Sequence, residues 1–189
     1  GCFGMDRDLH QKIVRGEFCK GLGVLKTFPK VGEVSERKVS CVCPWTYRGT
    51  EKRGRWKTPS SAVCLLVKLF TLRLTQDQVE KLLNHRDSAY VRAMGMLYVR
   101  FGADPSILWK TLGPHCDDLR VFKPHQRDEH SSTMGEFARK LLTQTEPFYE
   151  TCLPRLVPKS LELRMLRRLE LREEMMARAK RNTKFFGTS

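Results

Sequence analysis

Thr58-Pro-Ser-Ser-Ala-Val-Cys-Leu-Leu-Val-Lys-Leu-Phe70 decides the fold. Thr58 offers an oxygen to orphan helix amides, and Pro59 suits the first helical position, where its missing N–H costs nothing. From Ala62 to Phe70 the run is apolar on nearly every side, with Lys68 its one charge. A second run, Ser88 to Arg100, carries Tyr90, Val91, Ala93, Met94, Met96, Leu97, Tyr98 and Val99, interrupted by Arg92 and Arg100. Helices that are apolar all round sit inside a bundle, not on it. Neither run reaches the ~18 uninterrupted apolar residues of a membrane span. Together they predict an all-α fold, a compact multi-helix bundle.

The flanks supply the rest of the bundle. Thr75-Gln-Asp-Gln78 matches a capping box and predicts a helix through Val79, Leu82 and Leu83. Asp87 or Ser88 caps the Tyr90 helix. Asp104-Pro105 restarts the chain into Ile107, Leu108, Trp109 and Leu112, and Gly113-Pro114 stops it. Asp117 to Ser132 reads as a polar connection. Thr133-Met-Gly-Glu136 is a second capping box, opening a helix with a one-sided stripe of Met134, Phe137, Ala138, Leu141 and Leu142. Pro147 predicts a short helix with Phe148, Tyr149 and Cys152, and Leu153-Pro-Arg-Leu156 ends the compact part.

On the other side, Asp6 to Gly21 is predicted as one amphipathic helix facing inward through Leu9, Ile13 and Cys19. Val24 to Lys57 has no helical period and holds Pro29, Gly32, Pro44, Gly49 and Gly54; it is predicted as a long N-terminal loop region. Loops of that length are usually functional or mobile. From Ser160 to Arg181, Leu161, Met165, Leu169, Met176 and Ala179 recur at helical spacing among basic residues, predicting a basic C-terminal helix. The expected division is a domain over residues 1–157, with its core at 57–157, and an extension over 158–189.

The charge is unevenly placed. Of the net +14 over 189 residues, +7 falls in residues 1–58, +2 in residues 59–158 and +5 in residues 159–189. Basic ends on a balanced core point to contact with a polyanion, or to solvated tails. The seven cysteines are an odd number, and Cys64 sits in the most apolar run, where a thiol acts as a small hydrophobe. This predicts a reducing compartment, cytosol or nucleus.

Five segments follow one another in order: Lys57–Phe70, Asp87–Arg100, Leu108–Pro114, Met134–Leu142 and Leu153–Leu156. At their centre stands Tyr90-Val-Arg92, Gly95 and Leu97-Tyr98-Val-Arg100. The series resembles the pre-mRNA-processing factor 38 family over about residues 57–157. The resemblance implies an all-helical, non-enzymatic splicing factor of the nucleus. It implies a scaffold in or near the tri-snRNP of the spliceosome before activation, binding helical segments of other splicing proteins. Spliceosomal small nuclear RNA would be touched through the basic regions, and no membrane is involved.

Two groups of residues are candidates for contact. Arg92 and Arg100 need acceptors if buried; they form structural ion pairs, with Asp87, Asp104, Asp117 or Asp118 nearest in sequence, or grip a partner carboxylate. Tyr90, Tyr98, Phe101 and Trp109 are core aromatics or, with one edge exposed, partner anchors. Arg48, Lys52, Arg53, Arg55 and Lys57, interleaved with Trp45, Tyr47 and Trp56, are the nucleic-acid candidates: cations for phosphate, rings for unpaired bases. The competing function is therefore a sequence-nonspecific RNA-binding protein. Cys41-x-Cys43 lacks the spacing of a zinc knuckle. His115-Cys116-Asp117 are chain neighbours, which does not give a nucleophile and base. No catalytic residue, metal or cofactor is expected.

Overall fold

The computed structural model describes residues 4–48, 56–125, 131–143, 148–149, 153–156 and 158–186. The described residues are mostly helical, with two small hairpins. Two helices form the centre: α4, Ser61–Leu72, and α6, Ala89–Gly102. α4 is buried at Ala62 through Val67, and α6 at Ala93 through Leu97. Between them runs α5, Gln76–Leu83, opened by the Thr75–Gln78 capping box. Gly95 lets α6 press against α5; a Cβ there would stand 2.8 Å from the Leu82 Cβ and 3.1 Å from the Leu83 amide nitrogen.

The N-terminal part differs from expectation. Asp6 to Gly21 is two helices, α1 (Arg7–Arg15) and α2 (Glu17–Gly21). The break is Gly16, whose extended backbone caps the first helix through its N–H to the Ile13 carbonyl at 3.1 Å. The long loop expected over Val24–Lys57 instead contains a helix, α3 (Phe28–Lys38), and the strands β1 (Trp45–Arg48) and β2 (Trp56–Pro59). Pro29 lies in the first turn of α3, where it starts a helix and does not break one. Ser35, on the inward face, satisfies its hydroxyl by donating to the Val31 carbonyl at 2.7 Å.

The start of α4 is also shifted. Thr58 and Pro59 belong to β2, where Thr58 faces Thr46 of β1 with the hydroxyls 3.1 Å apart. The cap is Ser60, whose hydroxyl accepts the Val63 N–H at 3.3 Å and whose own N–H donates to the Pro44 carbonyl at 2.9 Å. Strand pairing thus takes the residues that local sequence would place at the helix start.

Beyond α6, a 3-10 turn at Pro105–Ile107 leads into α7, Leu108–Leu112. Gly113-Pro114 ends the α-helix, but the chain continues as 3-10 helix to Asp117. The polar connection holds β3 (Val121–Phe122), paired with β4 (Ser132–Thr133). Then comes α8, Met134–Leu142, opened by the second capping box, Thr133 with Glu136. The helix expected from Pro147 falls mostly outside the described residues. Phe148 and Tyr149 are not helical, and Tyr149 has φ +46. The last element, α9, Lys159–Phe186, buries Met165 and Leu169 in the core, whereas Met176 is 43% exposed. No described helix is long and apolar enough to cross a membrane.

Candidate functional site

The two arginines of α6 hold the bundle together. Arg92 donates through Nε to the Leu83 carbonyl at 3.0 Å and ion-pairs with Asp118, one of the four acids expected near it. Its guanidinium also lies 3.5 Å from Nδ1 of His115. Arg100 is 2% exposed. Its Nε donates to the Leu141 carbonyl and its Nη2 to the Pro154 carbonyl, both at 2.6 Å. Burial lowers its pKa to about 10, so it stays charged at neutral pH. No ion pair to Arg100 occurs among the described residues.

The four aromatics keep partly exposed edges. Tyr90 meets Phe122 edge-on at 5.8 Å. Tyr98 stacks on Phe70 at 4.7 Å, and its hydroxyl accepts the Leu74 N–H at 3.1 Å. Phe101 packs half-buried against the core. Trp109 lies under the guanidinium of Arg168, 5.4 Å from the ring centre. Arg168 belongs to α9, which is clamped further along by Asp117. That carboxylate accepts from Arg172 at 2.6 Å and from Arg139 at 3.1 Å, and Arg139 reaches on to Glu173 at 3.2 Å.

Of the six residues expected to meet a partner, only Tyr98 lines an apolar groove on this side of the bundle. This groove, of about 680 Å³, runs between α5, the second half of α6 and the turn into α7. Leu74, Val79, Leu83, Val99, Ala103 and Ile107 give it an apolar lining, with Glu80 and Lys110 also on its wall. Ile107 is 47% exposed. A partner helix with an apolar stripe finds here an apolar channel with one charge of each sign. Val79 and Ile107 were legible as members of short helices, but nothing local marked them as a shared wall.

The nucleic-acid candidates are only partly visible. Lys52, Arg53 and Arg55 lie outside the described residues. Arg48 ends β1, opposite Trp56. Lys57 points its ammonium over the Trp45 ring, 4.6 Å from the centre, and Lys12 of α1 lies 5.3 Å from the same ring. Trp45 itself is buried, so its face is covered by cations and not open to a base. Tyr47 meets the His125 ring edge-on at 6.2 Å.

Among the described thiols, the hydrogen bond with Cys43 lowers the pKa of Cys41, whereas burial raises that of Cys19. Cys41, Cys43, Cys64 and Cys116 are buried and unbridged. Burial raises Cys64 to about 12 and also raises Cys116, which donates weakly to the Leu112 carbonyl at 3.8 Å. Neighbouring Asp117 is occupied by Arg139 and Arg172. Among the described residues no group of three His, Cys, Asp or Glu side chains is placed to hold a metal ion.

Comparison with known proteins gives this geometry a context. The sequence profile of the PRP38 family matches residues 2–164. Pre-mRNA splicing factor SR-like 1 of Arabidopsis thaliana is 36% identical over 152 residues, covering 80% of this chain and 37% of that protein. Pre-mRNA-splicing factor 38B of Homo sapiens is 35% identical over 145 residues, covering 70% of this chain and 26% of that protein. The chain therefore spans between a quarter and two fifths of the length of these relatives. Among solved structures, the Snu23-Prp38-MFAP1(217-258) complex of Chaetomium thermophilum contains a similar fold. Its TM-score is 0.69 at 22% identity, over 89% of this chain and 82% of that one.

Proposed function

This chain belongs to the PRP38 family of pre-mRNA-splicing factors, and from that membership we propose that it is a non-catalytic spliceosomal scaffold that docks helical segments of other splicing proteins. It acts in the nucleus, in or near the tri-snRNP, on the assembly that precedes activation. The observation that carries this reading is the open apolar groove lined by Val79, Tyr98 and Ile107. Buried aromatic anchors dominate protein interfaces, Tyr98 is the ring this groove offers, and a groove of this kind accepts one face of an amphipathic helix. The similar fold in the Chaetomium complex, a structure of three named proteins, supports a binding role over a chemical one. Tyr98 is the contact within the groove; the exposed edges of Tyr90, Phe101 and Trp109 extend the contact surface. Arg92 and Arg100 serve it by fixing the helices that form the walls.

The test is a tagged purification of the chain from nuclear extract, washed at high salt, with the retained proteins identified by mass spectrometry. Apolar anchoring survives such washes, whereas phosphate contact does not. Splicing proteins should be retained by the natural chain and lost in a Val79→Glu, Ile107→Glu variant that melts at the natural temperature. Equal retention by the folded variant rules out the groove as the docking site.

A further inference from the structure

A second groove, of about 850 Å³, lies between the α1–α2 corner, the end of α3, the β1–β2 pair and the start of α4. Four cations line it: Lys12, Arg15, Lys38 and Lys57. Its one carboxylate, Glu17, is 89% exposed and already paired with Lys20 at 2.7 Å. The Trp45 indole gathers two of the cations over itself, Lys12 at 5.3 Å and Lys57 at 4.6 Å from the ring centre, and Lys12 is also paired with Asp8 at 3.1 Å. Arg15 and Lys38 are exposed, and neither side chain makes an ion pair or hydrogen bond among the described residues. Two rings share the groove: Phe18, 40% exposed, and half-buried Tyr47.

We infer that this groove binds single-stranded RNA, with the four cations on its phosphates and an unpaired base against Phe18 or Tyr47. A groove lined by four cations, with Arg15 and Lys38 exposed at its mouth, attracts a polyanion. The rings narrow the choice, because an exposed aromatic face among cations suits a polyanion that carries flat apolar faces of its own. A duplex hides those faces in its stack, and polyglutamate has none. The inference is independent of the apolar groove, which shares no residue with this one. Of the residues expected from sequence to meet nucleic acid, it uses Lys57 and brings in three cations from α1 and α3.

The experiment measures binding of a short labelled oligouridylate to the full chain by fluorescence anisotropy across a salt series. The expected result is an affinity that falls log-linearly with salt. An Arg15→Gln, Lys38→Gln double variant should lower the steepness of that line by about 1.4, about 0.7 for each cation, and weaken binding at least ~10-fold at low salt. Phe18→Ala should weaken binding by about tenfold at every salt concentration without changing the slope. Circular dichroism melting verifies that each variant is folded. The inference fails if oligouridylate does not bind at low salt, or if the folded double variant keeps both affinity and slope, which would place the RNA on α9 or elsewhere. It also fails if duplex RNA or polyglutamate binds as tightly as the single strand.

Discussion

Arg100 Nε donates to the carbonyl of Leu141 at 2.6 Å, tying the last turns of α6 and α8 through a cation and a backbone oxygen. The second arm of the same guanidinium takes the Pro154 carbonyl. Dehydrating the charge costs stability, as its lowered pKa of about 10 reflects, and two short charge-assisted bonds offset that cost. Arg100→Met keeps most of the stem and removes the two guanidinium bonds to these carbonyls. It should lose about 2–3 kcal/mol in urea unfolding. Arg100→Lys should recover only part of this, because an ammonium lacks the planar fork. An unchanged midpoint in the methionine variant would show that the two bonds contribute nothing net.

Gly95 marks the tightest crossing of α6 on α5. A methyl group there meets the Leu82 side chain and the Leu83 backbone, and backbone cannot turn aside. Gly95→Leu should therefore destabilise the domain by about 1–3 kcal/mol or prevent folding, with Gly95→Ala milder. Thermal melting of both variants checks the order.

The sequence reading puts the cap of α4 at Thr58, and the structure puts it at Ser60. Ser60→Ala removes the acceptor for the Val63 N–H and should cost about 1 kcal/mol. Thr58→Ala loses only an exposed hydroxyl contact across the hairpin and should fall within ~0.5 kcal/mol of the natural chain. Paired urea curves decide; a larger loss at Thr58 would return the helix start to the earlier residue.

His115 supplies a pH dependence with a definite sign. Burial first, and then the Arg92 guanidinium, hold its pKa below the ordinary histidine value, against a smaller opposing pull from Asp118. The unfolded chain therefore takes up this proton at higher pH than the folded one. Its contribution is complete above about pH 6.5 and is lost as the pH falls through the lowered folded value. The melting temperature should drop as the pH falls below about 6.5, and His115→Asn should make that drop smaller. A drop of equal size in the variant would assign the effect to another group.

Much of the bundle was legible because its signals are local. Thr75 with Gln78, and Thr133 with Glu136, are contacts three residues apart, so their sequence pattern and their hydrogen bonds coincide. α4 and α6 announce themselves by having almost no polar face. α3 was hidden because its inward residues include Ser35, and because Pro29 and Gly32 resemble turn residues when the first-turn position of the proline is unknown. The shift from Thr58 to Ser60 depends on Thr46, twelve residues away, and no local pattern contains it. The same limit governs the grooves. Val79, Tyr98 and Ile107 come from three elements, and Lys12, Lys38 and Lys57 from three others. Sequence singled out Tyr98 and Lys57 by residue type, and only folding supplies their neighbours.

The Asp117 clamp has a mechanical consequence. α9 is one unbroken helix, held at Arg168, Arg172 and Glu173 and continuing to Phe186. At 1.5 Å per residue, the portion beyond Glu173 is a rod of about 20 Å. A flexible tail of equal charge would tether the body loosely to whatever it touched. A rod clamped at its root instead sets a heading, so that anything seizing its tip fixes the angle from which both grooves are approached.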